Sequence, residues 1–301
     1  MGKKKVVYSD EYDVDIGAHV FPTSKYKLIR EELIGKRLLS EEDFEFPHPA
    51  SEEDILLVHS KEYVNKLKNG TLSFEEIFKL ELPYSKELVQ ASYICVNGTV
   101  KSCDIALERG AGVHLGGGFH HAFRDHGEGF CIFNDVAIAI KKMTRDGKIK
   151  KAMVIDCDLH QGNGTADIFK DDEDVFTFSI HQESNYPFYK PKSDLDIGLD
   201  DYAQDKIYLS KLKEHIPKII SDFKPNLILY VAGADPYKDD QIGNLALTID
   251  GLKERDKFIF ETAKNFNVPI AVVLAGGYAV KIEDTVTIHF NTVKTALEYM
   301  K

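Results

Sequence analysis

The sequence predicts an α/β fold, a single three-layer α/β/α domain with a central, mostly parallel sheet, and three observations carry that expectation. Short β-branched runs recur along the 301 residues, longer stretches with helical spacing separate them, and the runs are apolar without alternation. Strands buried on both faces are what helices crossing over a parallel sheet produce.

In chain order, Val6 and Val7 mark a first strand at 5–8. A helical stretch at 86–108 leads into a strand at 112–115, and a second one at 134–145 precedes AMVID at 152–156. VFTFSI gives a strand at 175–180, and a helix at 205–223 leads to LILYV at 227–231. The helix at 251–266 precedes IAVVL at 270–274, and a last helix spans 283–299. The acidic, proline-bearing stretch 40–53 reads as a surface loop. No Ser/Pro-rich linker, low-complexity segment or internal repeat divides the chain, so one domain over 1–301 is expected.

Composition narrows the function classes. With 38 basic against 49 acidic residues the formal charge is −11, which repels phosphate backbones, so no nucleic-acid partner is expected. The basic start, MGKKK, is followed by an apolar run far too short for a signal peptide, and no run approaches a membrane span. The expected location is the cytoplasm. Cys95, Cys103, Cys131 and Cys157 form no CxxC pair and read as small core residues of a reducing compartment. Cys157, alternating between two aspartates, should face away from them.

In open α/β sheets the ligand site lies beyond the carboxyl ends of the strands. Here those ends carry GGGFHHAF (116–123), DCDLHQGNG (156–164), Ile180-His181, AGAD (232–235) and AGGY (275–278). Asp156, Asp158 and His160, at i, i+2 and i+4, can point to one side of an extended backbone. Two carboxylates that close repel unless a cation neutralises them, and a divalent metal does so; the alternative is a solvated loop in which Asp158 caps the next helix. Asp235 offers a third ligand, or is a turn aspartate before Pro236. His120 and His121 suit acid/base work, or are two rim histidines, and Tyr278 can donate to an oxyanion, or is structural. Taken jointly the set describes metal-assisted hydrolysis.

GGGFHHAF, GFCIFND (129–135), DCDLHQGNG, AGAD and AGGY, in this order and at these separations, closely resemble the histone deacetylase family of the arginase/deacetylase fold. The resemblance runs over nearly the whole chain, and HVFPTSKY (19–26), VHSKEYV (58–64) and HQGNG are similar to its class IV branch, where Gln161 and Asn163 replace the usual histidine and aspartate. It implies one zinc ion held by Asp158, His160 and Asp235, with His121 as general base, His120 as electrostatic partner, Tyr278 as oxyanion donor and Asp156 behind His120. It places Asn163 behind His121, where an Asn163→Asp change should stabilise the imidazolium and move the acidic limb of the pH profile upward.

The resemblance further implies a tunnel for an acylated lysine, with Gly129 and Phe130 on one wall and Tyr186 on the other. It implies a structural potassium ion near Asp156, Asp158, His160, Ser179 and Ile180, and a second near Phe169, Asp172 and Val175. Leu115 and Ala275 depart from the family pattern, which favours an aromatic residue and a glycine there. The expected substrate is an acyl-lysine protein or peptide, acetyl or longer; a small acylated amine such as an acetylpolyamine is the main rival. An arginase-type two-metal hydrolase is disfavoured by Gln161 and Asn163, and a silent binding module by retention of the whole set.

Overall fold

The computed structural model describes residues 5–301. Eight strands are β1 (Val6–Val7), β2 (Phe44–Glu45), β3 (Ala111–His114), β4 (Ala152–Asp156), β5 (Val175–Gln182), β6 (Leu195–Leu199), β7 (Leu227–Val231) and β8 (Ile270–Val273). They form one sheet in the order β2-β1-β3-β8-β7-β4-β5-β6, and every neighbouring pair is parallel. The sequence reading of a mostly parallel sheet is thus fulfilled throughout.

The central strands β3, β8, β7 and β4 are buried at every position, in keeping with their unbroken apolar sequences. Helices α1 (Lys25–Gly35), α2 (Glu52–Ile55), α3 (Lys61–Asn69), α4 (Phe74–Leu80) and α5 (Lys86–Arg109) come from the first third of the chain. Helices α6 (Asp135–Arg145), α7 (Asn163–Phe169), α8 (Asp205–Phe223), α9 (Ile249–Asn265) and α10 (Ile282–Tyr299) follow, most of them as crossovers. None of the helices among the described residues is long and apolar enough to cross a membrane.

Local chemistry sets the helix ends. Ser85 accepts from the Leu88 amide to start α5, which stops at Gly110 with φ +85°. Asn134 accepts from the Ala137 amide to start α6. One expectation is corrected: within 40–53, Phe44 and Glu45 pair with Val6 and Val7 as an edge strand. Two residues are too short to show a strand pattern, and the pairing depends on β1, which lies 38 residues away in sequence by position (44 − 6). The edge strand β6 was likewise unmarked, because LDIGL is only half-buried.

All of the cysteines are free and buried, and the four thiols lie within the core. The Cys157 carbonyl accepts from Tyr208 and Arg255.

Candidate active site

The carboxyl ends of β3, β4, β7 and β8 meet in one buried place. Asp158, His160 and Asp235 offer one ligand atom each within 4.8 Å of one another, and the three side chains are buried. Asp158 does not cap a helix: Gly162 precedes α7, and Asp158 Oδ1 instead accepts from the His160 amide at 3.0 Å. Asp235 Oδ1 accepts from the Leu159 amide at 3.0 Å, and Asp158 Oδ2 from the Gly276 amide at 2.9 Å. The loop after β4 therefore orients Asp235 after its neighbour β7, and the loop after β8 reaches past β7 to orient Asp158.

The donor set fits a divalent cation on grounds internal to the structure. Asp235 Oδ2 is buried without a hydrogen-bond partner, 3.3 Å from His160 Nδ1. Burial, and then the Asp158 carboxylate beside it, push the Asp235 carboxyl up to about 6. Burial works against a charged His160, yet its hydrogen bond to Asp158 and the charges of the Asp235 and Asp158 carboxylates outweigh it and raise the ring to about 10. A cation between two carboxylates and an imidazole relieves that repulsion.

The histidine pair follows Gly116 to Gly118. The Gly118 and Phe119 amides donate to Asp135 Oδ2 and Oδ1 at 3.0 and 2.7 Å, and Asn134 Nδ2 donates to the Ala122 carbonyl at 3.2 Å. The Asn-Asp pair that starts α6 thus also holds the histidine loop in place. His120 Nδ1 lies 2.6 Å from Asp156 Oδ2, His121 Nδ1 lies 2.7 Å from Asn163 Oδ1, and the two Nε2 atoms face each other at 3.1 Å. Burial opposes charge on both rings. For His120 the Asp156 and Asp158 carboxylates outweigh it and raise the ring to about 9. For His121 burial and the cationic rings of His120 and His160 act together, which keeps it neutral well below its ordinary value. The two rings are thus biased in opposite directions, His120 toward the charged form and His121 away from it.

Tyr278 is 8% exposed, with its amide donating to Asp240 Oδ2 at 2.8 Å. Burial first, then the Asp235 and Asp158 carboxylates, raise its phenol well above 10, so it stays a hydrogen-bond donor. Ala275 sits at φ +52°, a left-handed conformation that accounts for glycine being favoured there; the buried Lys25 Nζ donates to its carbonyl at 2.6 Å.

Gly129 and Phe130 line the pocket over the histidine pair, and Tyr186 packs beside His121. The Phe130 ring stacks on Phe21 at 6.2 Å and meets Tyr278 edge-on at 6.0 Å, while Tyr186 stands edge-on to His121 at 5.0 Å. Gly129 and Phe130 both have positive φ, +50° and +67°, and their amides donate to the Lys79 and Leu80 carbonyls at the end of α4. Helix α4 escaped the sequence reading, as did Glu128, Lys25 and Asp240. The capping serine Ser73 was the available signal for α4.

Of the residues expected near a structural potassium ion, Asp156 and Ser179 are register partners on β4 and β5, and Ser179 Oγ lies 2.9 Å from His181 Nδ1. Ile180 follows on β5, while His181 turns to Ser179 rather than to the catalytic cluster. At the second location, Asp172 Oδ2 accepts from Lys141 Nζ at 2.6 Å, and the Phe169 and Asp172 carbonyls accept from the Asp172 and Val175 amides.

The model of the Histone deacetylase domain matches residues 19–293. The chain belongs to the histone deacetylase family. This deacetylase is 39% identical over 285 residues to an uncharacterized protein of Picosynechococcus sp., covering 94% of this chain and 95% of that one. It is 32% identical over 292 residues to Histone deacetylase 2 of Arabidopsis thaliana, covering 92% and 75%. It is 31% identical over 305 residues to the acetoin utilization protein AcuC of Staphylococcus aureus, covering 92% and 78%. Among solved structures, the HDA15 HD domain superposes with a TM-score of 0.81 at 19% identity, covering 98% of this chain and 89% of that one. That likeness establishes the arginase/deacetylase α/β fold, and the family makes the chain a hydrolase.

One consequence for the deacetylase concerns Gly129. A Cβ there would lie 2.8 Å from His121 Cδ2 and 2.9 Å from the Tyr186 hydroxyl. Gly129→Ala is therefore expected to lower turnover about 100-fold while the fold persists, since displacements near 1 Å can cost that much. Initial rates alongside circular dichroism check this; an unchanged rate would mean that the loop yields without disturbing His121.

Proposed function

We propose that this deacetylase removes acyl groups, acetyl or longer, from the side-chain amine of lysine in proteins, using one zinc ion. The observation that carries the reading is geometric: His120 Nδ1 on Asp156, His121 Nδ1 on Asn163 and the two Nε2 atoms 3.1 Å apart, beside the buried Asp158, His160 and Asp235 cluster. Those three residues would hold the zinc, whose chemistry is to polarise a carbonyl oxygen and to lower the pKa of a water.

His121 takes the proton of the attacking water at Nε2 and returns it to the departing amine. Its Nδ1 proton points to Asn163, so Nε2 is the basic atom. His120, held cationic by Asp156, supports the negative charge that develops on the substrate carbonyl. Tyr278 donates its phenolic proton in a hydrogen bond to the same oxyanion. The walls of Phe130 and Tyr186 exclude water from an aliphatic stem. Asp156, Ser179 and Ile180 are the residues we assign to a structural potassium ion, through their adjacency on β4 and β5.

Acyl groups longer than acetyl are favoured by a neighbouring apolar cavity. Phe21, Tyr26, Phe119 and Phe130 line both the catalytic pocket and that cavity, which Tyr12 and Cys95 extend. Phe188 and Tyr189, which follow Tyr186 closely in sequence and are exposed, offer apolar surface to a peptide substrate. We place the chain with the class IV branch on Gln161 and Asn163, and in the cytoplasm on its free thiols.

A panel of acetyl- to myristoyl-lysine peptides and acetylpolyamines, with and without chelator, tests the reading. Turnover of acyl-lysine should vanish with chelator, and His121→Ala should lower it by about 100- to 10,000-fold. Chelator-insensitive turnover, or full activity in His121→Ala, would overturn the mechanism.

A further inference from the structure

Asn163 puts an amide where a carboxylate would pair directly with an imidazolium, yet a carboxylate stands one bond further out. Asn163 Nδ2 donates to Glu128 Oε1 at 2.7 Å, and the Tyr186 hydroxyl donates to the same oxygen at 2.8 Å. An amide has a donor end and an acceptor end, whereas a carboxylate only accepts. Glu128 therefore admits one orientation of the amide, with Nδ2 outward and Oδ1 toward His121 Nδ1. That orientation demands the proton on Nδ1 and leaves the Nε2 lone pair facing the site. A flipped amide would set Oδ1 against the Glu128 carboxylate and offer a donor to His121 Nδ1, selecting the tautomer that cannot act as a base through Nε2.

We infer that Glu128 is a positioning residue for the base: it fixes the Asn163 amide, and through it the His121 tautomer, while the same oxygen anchors Tyr186 on the tunnel wall. This inference rests on the deacylase reading of His121. The segment that carries Glu128 is itself fixed. The Glu128 amide donates to the Cys131 carbonyl at 3.1 Å, and the Cys131 amide returns a bond to the Glu128 carbonyl at 2.9 Å. Gly129 and Phe130, next along, bind the carbonyl end of α4.

The groups facing the carboxylate are His126, Tyr186, Asn163 and, further off, Glu81. His126 Nε2 lies 3.4 Å from Glu128 Oε2, and His126 Nδ1 lies 2.7 Å from Asp125. Burial alone would raise the Glu128 carboxyl, but hydrogen bonds from His126, Tyr186 and Asn163 outweigh it and hold it below the usual range. An anionic acceptor also polarises the Asn163 carbonyl, which supports the imidazolium that forms on His121 during turnover.

A double-mutant cycle between Glu128→Ala and Asn163→Asp tests this, read as kcat and KM and joined to nitrogen NMR of histidine-labelled protein. Glu128→Ala should lower kcat about tenfold, raise KM through the loosened Tyr186, and remove the pure Nδ1-protonated signature of His121. Glu128→Gln, which keeps an acceptor oxygen, should stay within about threefold of wild type. With Asn163→Asp already present both oxygens accept, no orientation needs fixing, and Glu128→Ala should change kcat by no more than about twofold.

The double variant should also move the acidic limb to higher pH. The base works when neutral, and a carboxylate bound directly to His121 stabilises its charged form. Asn163→Asp alone should move that limb less, because the introduced carboxylate and Glu128 then share one proton. Equal kcat losses in both backgrounds, or His121 ring resonances unaffected by Glu128→Ala, would overturn the inference. The NMR readout needs no turnover, so a failure of the deacylase reading would still leave the role of Glu128 decided.

Discussion

Gly276→Ala is expected to abolish turnover, by at least about 10,000-fold, and to leave the protein unable to retain a divalent metal. The reason is the close approach of the AGGY backbone to the ligands. A Cβ on Gly276 would collide with Asp235 Oδ2 and lie 2.7 Å from Asp158 Oδ2, and the Gly276 amide is the donor that holds Asp158 Oδ2 at 2.9 Å. Both atoms belong to carboxylates, so the intruding methyl displaces ligands rather than a yielding side chain. Gly233→Ala should behave alike, since its Cβ would also strike Asp158 and lie 2.5 Å from Asp235 Oδ1. Metal analysis of the purified variant together with calorimetric titration of zinc measures the outcome. Retention of one zinc per chain at wild-type affinity would contradict the assignment of these carboxylates.

Arg255→Met should destabilise the fold by about 3–5 kcal/mol, a fall in melting temperature on the order of 10 °C. Arg255 and Asp256 are both fully buried. The guanidinium donates to the Gly233 and Cys157 carbonyls at 2.7 and 3.1 Å, and pairs with Asp256 Oδ1 at 2.9 Å. Tyr230 and Thr292 hydroxyls complete the shell of Asp256, each at 2.5 Å. Removing the guanidinium leaves a buried carboxylate without its counter-ion and the Gly233 carbonyl without its donor, while the Cys157 carbonyl keeps only the Tyr208 hydroxyl. The paired change Arg255→Met with Asp256→Asn should recover part of the loss, because it removes the orphaned charge as well. Thermal unfolding of both variants decides the matter, and a melting temperature within about 2 °C of wild type for the single change would refute the network's role.

The clustering of the aspartates and histidines was legible because each motif is contiguous and sits at a strand end. Asp158 and His160 are two apart, His120 and His121 adjacent, and the topology of a parallel sheet says that such ends converge. What supports those groups was not legible. Glu128 lies 35 positions from Asn163, and Arg255 lies 98 positions from Cys157, so no periodic pattern links them. Short edge strands were invisible for a related reason: β2 exists only because β1 offers it a partner. Helix α3 could have been found locally, since Ser60 caps its start and Gly70, at φ +65°, ends it.

The geometry that unites the strand ends also dates the site's appearance during folding. Asp158 is oriented by an amide 118 positions later, and the Ala275 carbonyl is held by a lysine 250 positions earlier. Contacts of such separation form late, after loop-closure entropy has been overcome across an all-parallel sheet. A partly folded chain thus lacks the assembled Asp158, His160 and Asp235 cluster. Metal uptake during refolding should lag behind the gain of helical signal, and zinc, by binding the native state alone, should draw the equilibrium toward the finished sheet.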